Sequence, residues 1–133
     1  NLYNSFHDKK DFLIRDFFKF FSSYFYYKTL SQSIFSICPR GYGPTSYRLY
    51  ESMKMQTIPV YISDTFWLTD YQNFDWNEAI IKIGLDDIQE LDIMLRKIPE
   101  KKISKMINYS KEKLKEYFTW EAVFNYIKSD ITP

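Results

Sequence analysis

The chain of 133 residues is long enough for one domain with a real core and too short for two. A net charge of +1 argues against the strongly basic surface of a nucleic-acid-binding protein, and 45% apolar and 20% aromatic residues argue against disorder. The single cysteine excludes an internal disulfide and a cysteine-based zinc site. No apolar run approaches the ~18 residues that a membrane span needs.

The N-terminal part predicts helices rich in aromatic side chains. Asp8 or Asp11 could cap a helix that runs to about Phe21. Residues 24–30 continue as a short helix or turn, and we expect the aromatic side chains to pack against a sheet. His7, the only histidine, could act in catalysis, although a solvated position near the chain start is its more ordinary interpretation.

Residues 34–62 predict a βαβ unit. Its parts are a strand at residues 34–38, a loop at 39–44, a helix at 45–55 and a second strand at 58–62. Gly41 and Gly43 lie in the loop between two prolines. Such a crossover joins parallel strands and is almost always right-handed. The loop is therefore expected at the carboxyl end of the first strand, where open α/β sheets bind ligands.

The C-terminal part predicts a third strand at residues 78–83, followed by three helices. The first begins at Asp86, the second at Pro99 and the third after a capping Thr119. Their helical spacing gives the expected buried positions. These are Ile88, Leu91, Leu95 and Ile98 in the first helix, Ile103, Met106, Ile107, Ser110, Leu114 and Phe118 in the second, and Trp120, Val123, Phe124 and Ile127 in the third.

The start of the central helix combines groups that suit a nucleoside diphosphate. Thr45 and Ser46 stand at its N-terminus, where unpaired backbone N–H groups and the helix dipole attract anions. Arg40 and Arg48 add positive charge with a geometry that suits phosphate. Glu51, on the same side as Arg48, could accept hydrogen bonds from two sugar hydroxyls. The alternative for this last pair is an ordinary i,i+3 salt bridge, worth only about 0.2–0.5 kcal/mol.

Three further residues lie near the predicted site or after it in the sequence. Asp64 follows the second strand at the ligand-binding edge, where it could contact a bound sugar or cap the next turn. Asp64 and Asp70, like His7, are candidate catalytic bases only if the active site closes within this chain. Cys38 is interpreted as a small buried residue that ends the first strand.

A long string of residues resembles a known family. Residues 35–51 read F-S-I-C-P-R-G-Y-G-P-T-S-Y-R-L-Y-E, and I-P-V-Y-I-S-D and D-W-N follow. This pattern closely resembles the donor-binding half of exostosin-type glycosyltransferases over roughly residues 24–107. The C-P-R-G, S-x-R-x-x-E and I-P-V pieces occur in order at the family's spacing. Gln56 departs from the family, which commonly has a small residue there, and Thr69 stands where a proline usually follows W-L.

The resemblance implies an enzyme of the GT-B fold, in which two Rossmann-like domains face each other. Such enzymes transfer a sugar, usually from a UDP-sugar, with inversion and typically without a fold-imposed metal site. Residues 1–133 would form a single nucleotide-sugar-binding domain, an α/β Rossmann-like three-layer parallel sheet with flanking helices. It would be the C-terminal half of the enzyme. The acceptor-binding half, with the catalytic base, would lie outside this chain.

By this resemblance Ser46 and Arg48 would contact the diphosphate and Glu51 the ribose. The partners would be a nucleotide sugar and a glycan acceptor, with no metal or cofactor, no nucleic acid and no membrane span in this chain. No catalytic residue is assigned. The full set of expected binding residues is Arg40, Gly41, Gly43, Thr45, Ser46, Arg48, Glu51 and Asp64.

Two alternatives remain at this point. The same site could belong to a non-catalytic nucleotide-sugar or glycan-binding module. A phosphate-binding α/β protein outside carbohydrate metabolism has less support, because the chain lacks both the P-loop and the G-x-G-x-x-G motif. The compartment also stays open: cytoplasmic for a viral or bacterial protein, the Golgi lumen for a eukaryotic one.

Overall fold

The computed structural model describes residues 10–12, 23–43, 46–69 and 73–131. The strands are β1 (Phe35–Pro39), β2 (Ile58–Ile62) and β3 (Ile81–Ile83). The helices are α1 (Ser23–Ser31), α2 (Tyr47–Lys54), α3 (Trp76–Ala79), α4 (Leu91–Arg96), α5 (Glu100–Tyr117) and α6 (Trp120–Ile131), with a 3₁₀ helix (Asp86–Glu90) directly before α4.

The three strands form one parallel sheet in the order β1-β2-β3. Strand β2 lies in the middle and is buried at all five positions, as a parallel strand covered on both faces should be. The sequence predicted β2 with the observed bounds, whereas β1 begins one residue later than predicted. Ile34 lies outside the strand and is 55% exposed, and Pro39 is paired with Ile62.

Helices cover both faces of the sheet. On one face Cys38 and Tyr61 pack with Leu49 and Met53 of α2 and with a group around Trp76. On the other face the buried cluster consists of Val60, Ile62, Ile83, Leu91 and Leu95. Successive strand residues point to opposite faces, so neighbouring residues of β2 contribute to different clusters. The predicted three-layer α/β architecture is therefore present in the described residues.

Helix α2 is slightly shorter than the predicted 45–55 helix. Ser46 has extended backbone angles (φ −129°, ψ 121°) and serves as the N-cap. The helix ends at Lys54, and Gln56 then adopts the left-handed region at φ 60°. That conformation strains side chains larger than glycine. It therefore offers a reason why the family that the sequence resembles commonly has a small residue at this position.

The predicted third strand is wrong at its start. Residues 76–79 form the short helix α3, and only Ile81–Ile83 pair with β2. The helix begins there because the Asp75 side chain accepts a hydrogen bond from the Asn77 N–H at 2.9 Å. The loose alternation of apolar residues did not reveal this cap.

The next two predicted helices are present, with modified ends. The segment that begins at Asp86 starts as a 3₁₀ helix and continues as α4, and α5 lies within the predicted range. All ten predicted inner positions of these two helices are buried or half-buried, as expected. They are Ile88, Leu91, Leu95, Ile98, Ile103, Met106, Ile107, Ser110, Leu114 and Phe118.

The predicted burial of α6 is wrong at three of its four positions, whereas Val123 is half-buried. Thr119 does cap the helix, because its Oγ1 accepts a hydrogen bond from the Ala122 N–H at 3.2 Å. However, Trp120 is 92% exposed, Phe124 66% and Ile127 49%. Helical periodicity identifies an apolar face, but it does not show whether another element covers that face.

The aromatic side chains of α1 also differ from the prediction. The short helix is present, but Tyr24, Phe25 and Tyr27 are exposed instead of packing against the sheet. The predicted helix from Asp8 or Asp11 to Phe21 lies mostly outside the described residues, as does His7. Among the helices that are described, none has the length and apolar character to span a membrane.

Substitution of two tryptophans tests the burial that the structure assigns to them. Trp76 is 8% exposed and Trp120 is 92% exposed. We expect Trp76→Ala to lower the free energy of unfolding by about 3–5 kcal/mol through loss of buried contacts, and Trp120→Ala to change it by less than about 0.5 kcal/mol. Urea denaturation of both variants measures the difference. Equal destabilisation would contradict the exposed position of α6.

Candidate functional site

The predicted ligand-binding loop lies where β1 and β2 end. The Arg40 N–H donates a hydrogen bond to the Ile62 carbonyl at 3.0 Å, which ties the start of the loop to the end of β2. Gly41 and Gly43 are exposed, and a Cβ added at Gly43 would meet nothing within 4 Å. The described part of the loop is therefore open to solvent at Gly43. Thr45 lies outside the described residues.

Ser46 is placed at the N-terminus of α2. Its carbonyl accepts the Leu49 N–H at 3.1 Å, while its side chain makes no capping hydrogen bond. The first N–H groups of a helix have no intrahelical acceptor, and they carry the positive end of the helix dipole. The Ser46 hydroxyl and the first turn of α2 together can therefore donate hydrogen bonds to an anion.

Arg40 and Asp64 bridge the carboxyl ends of β1 and β2. The Arg40 Nη1 lies 3.2 Å from the Asp64 Oδ1, and both side chains are about half exposed (47% and 45%). The same Oδ1 accepts the Thr65 N–H at 3.0 Å, so Asp64 caps the next turn, one of its two predicted roles. An exposed ion pair of this kind contributes about 0–1 kcal/mol. Arg40 could therefore exchange this carboxylate for a ligand anion at little cost.

Arg48 reaches the outer edge of β1. The Ile34 carbonyl and the Arg40 N–H both bond toward β2. Alternate residues of a parallel strand bond to opposite sides, so the N–H and carbonyl of the odd-numbered Ile37 face the other edge of β1. No described strand pairs there. The Arg48 Nη1 instead donates to the Ile37 carbonyl at 3.4 Å, near the long limit for a hydrogen bond.

Glu51 is held by a tyrosine from the preceding helix. The Tyr26 hydroxyl of α1 donates to the Glu51 Oε2 at 2.6 Å. Burial and the adjacent Glu51 carboxylate raise the pKa of Tyr26, and the nearby Arg48 opposes this effect. The phenol therefore stays protonated and serves as a donor at neutral pH.

The structure does not contain the i,i+3 salt bridge considered as the alternative for Arg48 and Glu51. Ion pairs between described residues do not include these two side chains. Arg48 donates to the Ile37 carbonyl, Glu51 accepts from the Tyr26 hydroxyl, and Tyr26 also interacts with Arg48. That alternative is wrong for this structure. The site thus keeps a cation and an anion one helical turn apart without pairing them.

A groove of about 490 Å³ lies beside Glu51. It is bounded by residues of α1, α2 and α5 and their ends, and Glu51 and Lys54 are its charged residues. The described residues that line it are Tyr27, Tyr50, Glu51, Lys54, Met55, Leu114 and Phe118. Glu51 therefore contacts open space as well as Tyr26, so a ligand hydroxyl could approach it.

The remaining candidates do not join this cluster. Cys38 is fully buried between strand and helix, where burial raises its thiol pKa, and the structural interpretation is confirmed. Asp70 lies outside the described residues. Within the described ranges, no group of three or more His, Cys, Asp or Glu side chains is arranged to hold a metal ion.

Sequence reasoning missed Tyr26. In the sequence Tyr26 is one aromatic residue among many, and no pattern indicates that its hydroxyl contacts Glu51. The available signal was the residue type, because a half-buried tyrosine, unlike phenylalanine, needs a hydrogen-bond partner for its hydroxyl. Nothing in the sequence identified which of the neighbouring tyrosines would reach Glu51.

Comparison with known proteins decides the family. Residues 3–98 match the model of the Exostosin GT47 domain. The chain belongs to this family. Over 74 residues, this exostosin GT47 chain is 38% identical to a probable glucuronosyltransferase of Oryza sativa subsp. japonica and 36% identical to the probable beta-1,4-xylosyltransferase IRX10 of Arabidopsis thaliana. The resemblance seen in the sequence is thus confirmed.

The matches cover only part of each protein. Each of these two alignments spans 56% of this chain and 18% of the relative. The GT47 chain therefore corresponds to less than a fifth of the length of these glycosyltransferases.

The raised pKa of Tyr26 gives a pH-dependent stability. Because the folded-state pKa lies above the unfolded value of 10.0, the stabilising effect is complete below about pH 10 and is lost as the pH rises toward the folded-state pKa. We expect wild type to be more stable than Tyr26→Phe at pH 8, and the difference to shrink above pH 10. Urea denaturation across this range measures it, and a constant difference would contradict the assignment.

Proposed function

We propose that this chain is the donor-binding half of a GT-B glycosyltransferase, which transfers a sugar from a UDP-sugar to a glycan acceptor with inversion. One observation carries the proposal. Arg40 lies at the carboxyl end of β1, Ser46 begins α2, and Arg48 and Glu51 lie on one side of α2 without forming an ion pair, next to a three-layer parallel sheet. Membership of the exostosin GT47 family supports the same assignment.

The diphosphate would bind at the start of α2. The first-turn N–H groups, the Ser46 hydroxyl and the Arg48 guanidinium provide donors and positive charge for phosphate oxygens. Arg48 is exposed, donates a long hydrogen bond to the Ile37 carbonyl and interacts with the Tyr26 hydroxyl. Redirecting this guanidinium to a phosphate would therefore cost little.

The ribose would bind at Glu51. A carboxylate accepts up to about four hydrogen bonds, and among the described residues Tyr26 is the only side chain that donates one to it. Two hydroxyls of a ribose ring can therefore be accommodated. In this arrangement Glu51 selects a nucleoside over a bare diphosphate.

Charge at this site would assist the reaction. Negative charge grows on the diphosphate as the glycosidic bond breaks, and fixed donors that face this charge lower the barrier. The helix start and Arg48 would provide that stabilisation, without a metal ion. A general base for the acceptor hydroxyl is assigned to the acceptor-binding half, outside this chain.

UDP binding tests the proposal directly. We expect calorimetry to detect UDP binding to the folded chain, with UMP binding more weakly because it lacks the second phosphate. Circular dichroism on the same sample establishes that the chain is folded. A folded chain that does not bind UDP at millimolar concentration would overturn the proposal. Binding by a full-length protein that transfers no sugar would instead favour the non-catalytic module.

Arg48→Ala tests the phosphate contact. Loss of a charge-assisted hydrogen bond should weaken UDP binding by about 1.5–3 kcal/mol. Arg48→Lys should recover part of that loss, since it keeps the charge but not the guanidinium geometry. Arg96→Ala is the matched control, because this exposed arginine pairs with Asp11 and Asp92 instead. If Arg48→Ala bound UDP as tightly as wild type, Arg48 would not contact the diphosphate.

A further inference from the structure

We propose that Tyr26 is a positioning residue that holds the Glu51 carboxylate in place for a ribose diol. The inference rests on the proposed function and adds to it a residue from a separate helix. It starts from the 2.6 Å hydrogen bond between the Tyr26 hydroxyl and the Glu51 Oε2, which connects α1 with α2 across 25 positions of sequence.

The C-terminal end of the helix that carries Tyr26 is held to the sheet. Leu30, one turn further along α1, is 6% exposed. Its carbonyl accepts a hydrogen bond from the buried Thr57 Oγ1 at 2.5 Å. Thr57 directly precedes β2, and the neighbouring Ile58 N–H bonds to the Ile34 carbonyl at 2.9 Å. Tyr26 is therefore presented from an anchored support.

Glu51 needs such a support. A glutamate on a helix surface has three rotatable side-chain bonds, and fixing it for a ligand costs conformational entropy. A phenol that already donates to one carboxylate oxygen reduces this cost before the ligand arrives. Since Tyr26 donates to Oε2, the second oxygen remains for a ligand hydroxyl.

Tyr26 also affects which partner Glu51 takes. Arg48 lies three residues before Glu51 in α2, at the spacing at which opposite charges on a helix attract each other. The ion pair is nevertheless absent from the described structure, and Glu51 faces Tyr26 instead. Without the Tyr26 hydroxyl, the carboxylate would be free to turn toward Arg48. Tyr26 interacts with both side chains, so it separates the carboxylate from the guanidinium and keeps one carboxylate oxygen available for ribose.

The test compares UDP with 2′-deoxy-UDP on four forms of the chain: wild type, Tyr26→Phe, Glu51→Gln and the double variant. For wild type we expect UDP to bind at least about ten-fold more tightly than 2′-deoxy-UDP, the factor that one charged hydrogen bond gives. Tyr26→Phe should reduce this ratio to near one. It should add no further reduction in the Glu51→Gln background, since the two residues act through the same carboxylate.

A matched control separates positioning from general destabilisation. Tyr24 lies in the same helix and is 65% exposed, so Tyr24→Phe removes a hydroxyl without touching Glu51 and should keep the wild-type ratio. If Tyr26→Phe weakened both nucleotides by the same factor, its role would be structural only and the inference would be overturned. A ratio unchanged from wild type would overturn it as well.

A different set of binding results would contradict the proposed function itself. If folded wild type bound neither nucleotide, the nucleotide site itself would be wrong. If wild type bound UDP more tightly than 2′-deoxy-UDP and Tyr26→Phe kept that preference, only the role proposed for Tyr26 would be wrong. Circular dichroism of every variant distinguishes loss of binding from loss of fold.

Discussion

The complete burial of β2 is the constraint on which the rest of the structure depends. Its five residues have strands on both sides and helices above and below. Its buried backbone groups must be paired, and the connection from β1 through the helix α2 to β2 makes that pairing parallel. Parallel pairing then brings the ends of β1 and β2 to one edge. Arg40 and Asp64 meet at that edge because the sheet places them there, while their exposed ion pair contributes little to stability.

The charged residues among the predicted binding residues form two groups in the structure. Arg40 and Asp64 close the strand ends, whereas Arg48 and Glu51 occupy one side of α2 and have partners in β1 and α1. The second group is chemically unusual. A cation and an anion at i,i+3 spacing each contact something other than the opposite charge. Such an arrangement keeps both groups available for a ligand that carries its own charge and hydroxyls.

Sequence reasoning was most successful where a pattern is local and repeated. The apolar run of β2 and the periodic stripes of α4 and α5 determined element type and inner face. It failed where a single side-chain contact determines the local structure. The Asp75 cap turned the start of a predicted strand into α3, and the partner of Glu51 depended on which tyrosine of α1 points inward. For α6 the periodicity identified an apolar face but not its surroundings, so Trp120 was predicted buried and is exposed.

The outer edge of β1 has a consequence for the behaviour of the chain in solution. Unpaired strand edges recruit strands from other molecules and so promote aggregation, and charged side chains at such edges discourage it. Arg48 places its guanidinium on the Ile37 carbonyl at this edge, and Pro39 at the end of the strand has no N–H to offer. Among the described residues no other strand pairs with this edge, and a charged side chain such as Arg48 at this place is of the kind that discourages intermolecular β-sheet pairing.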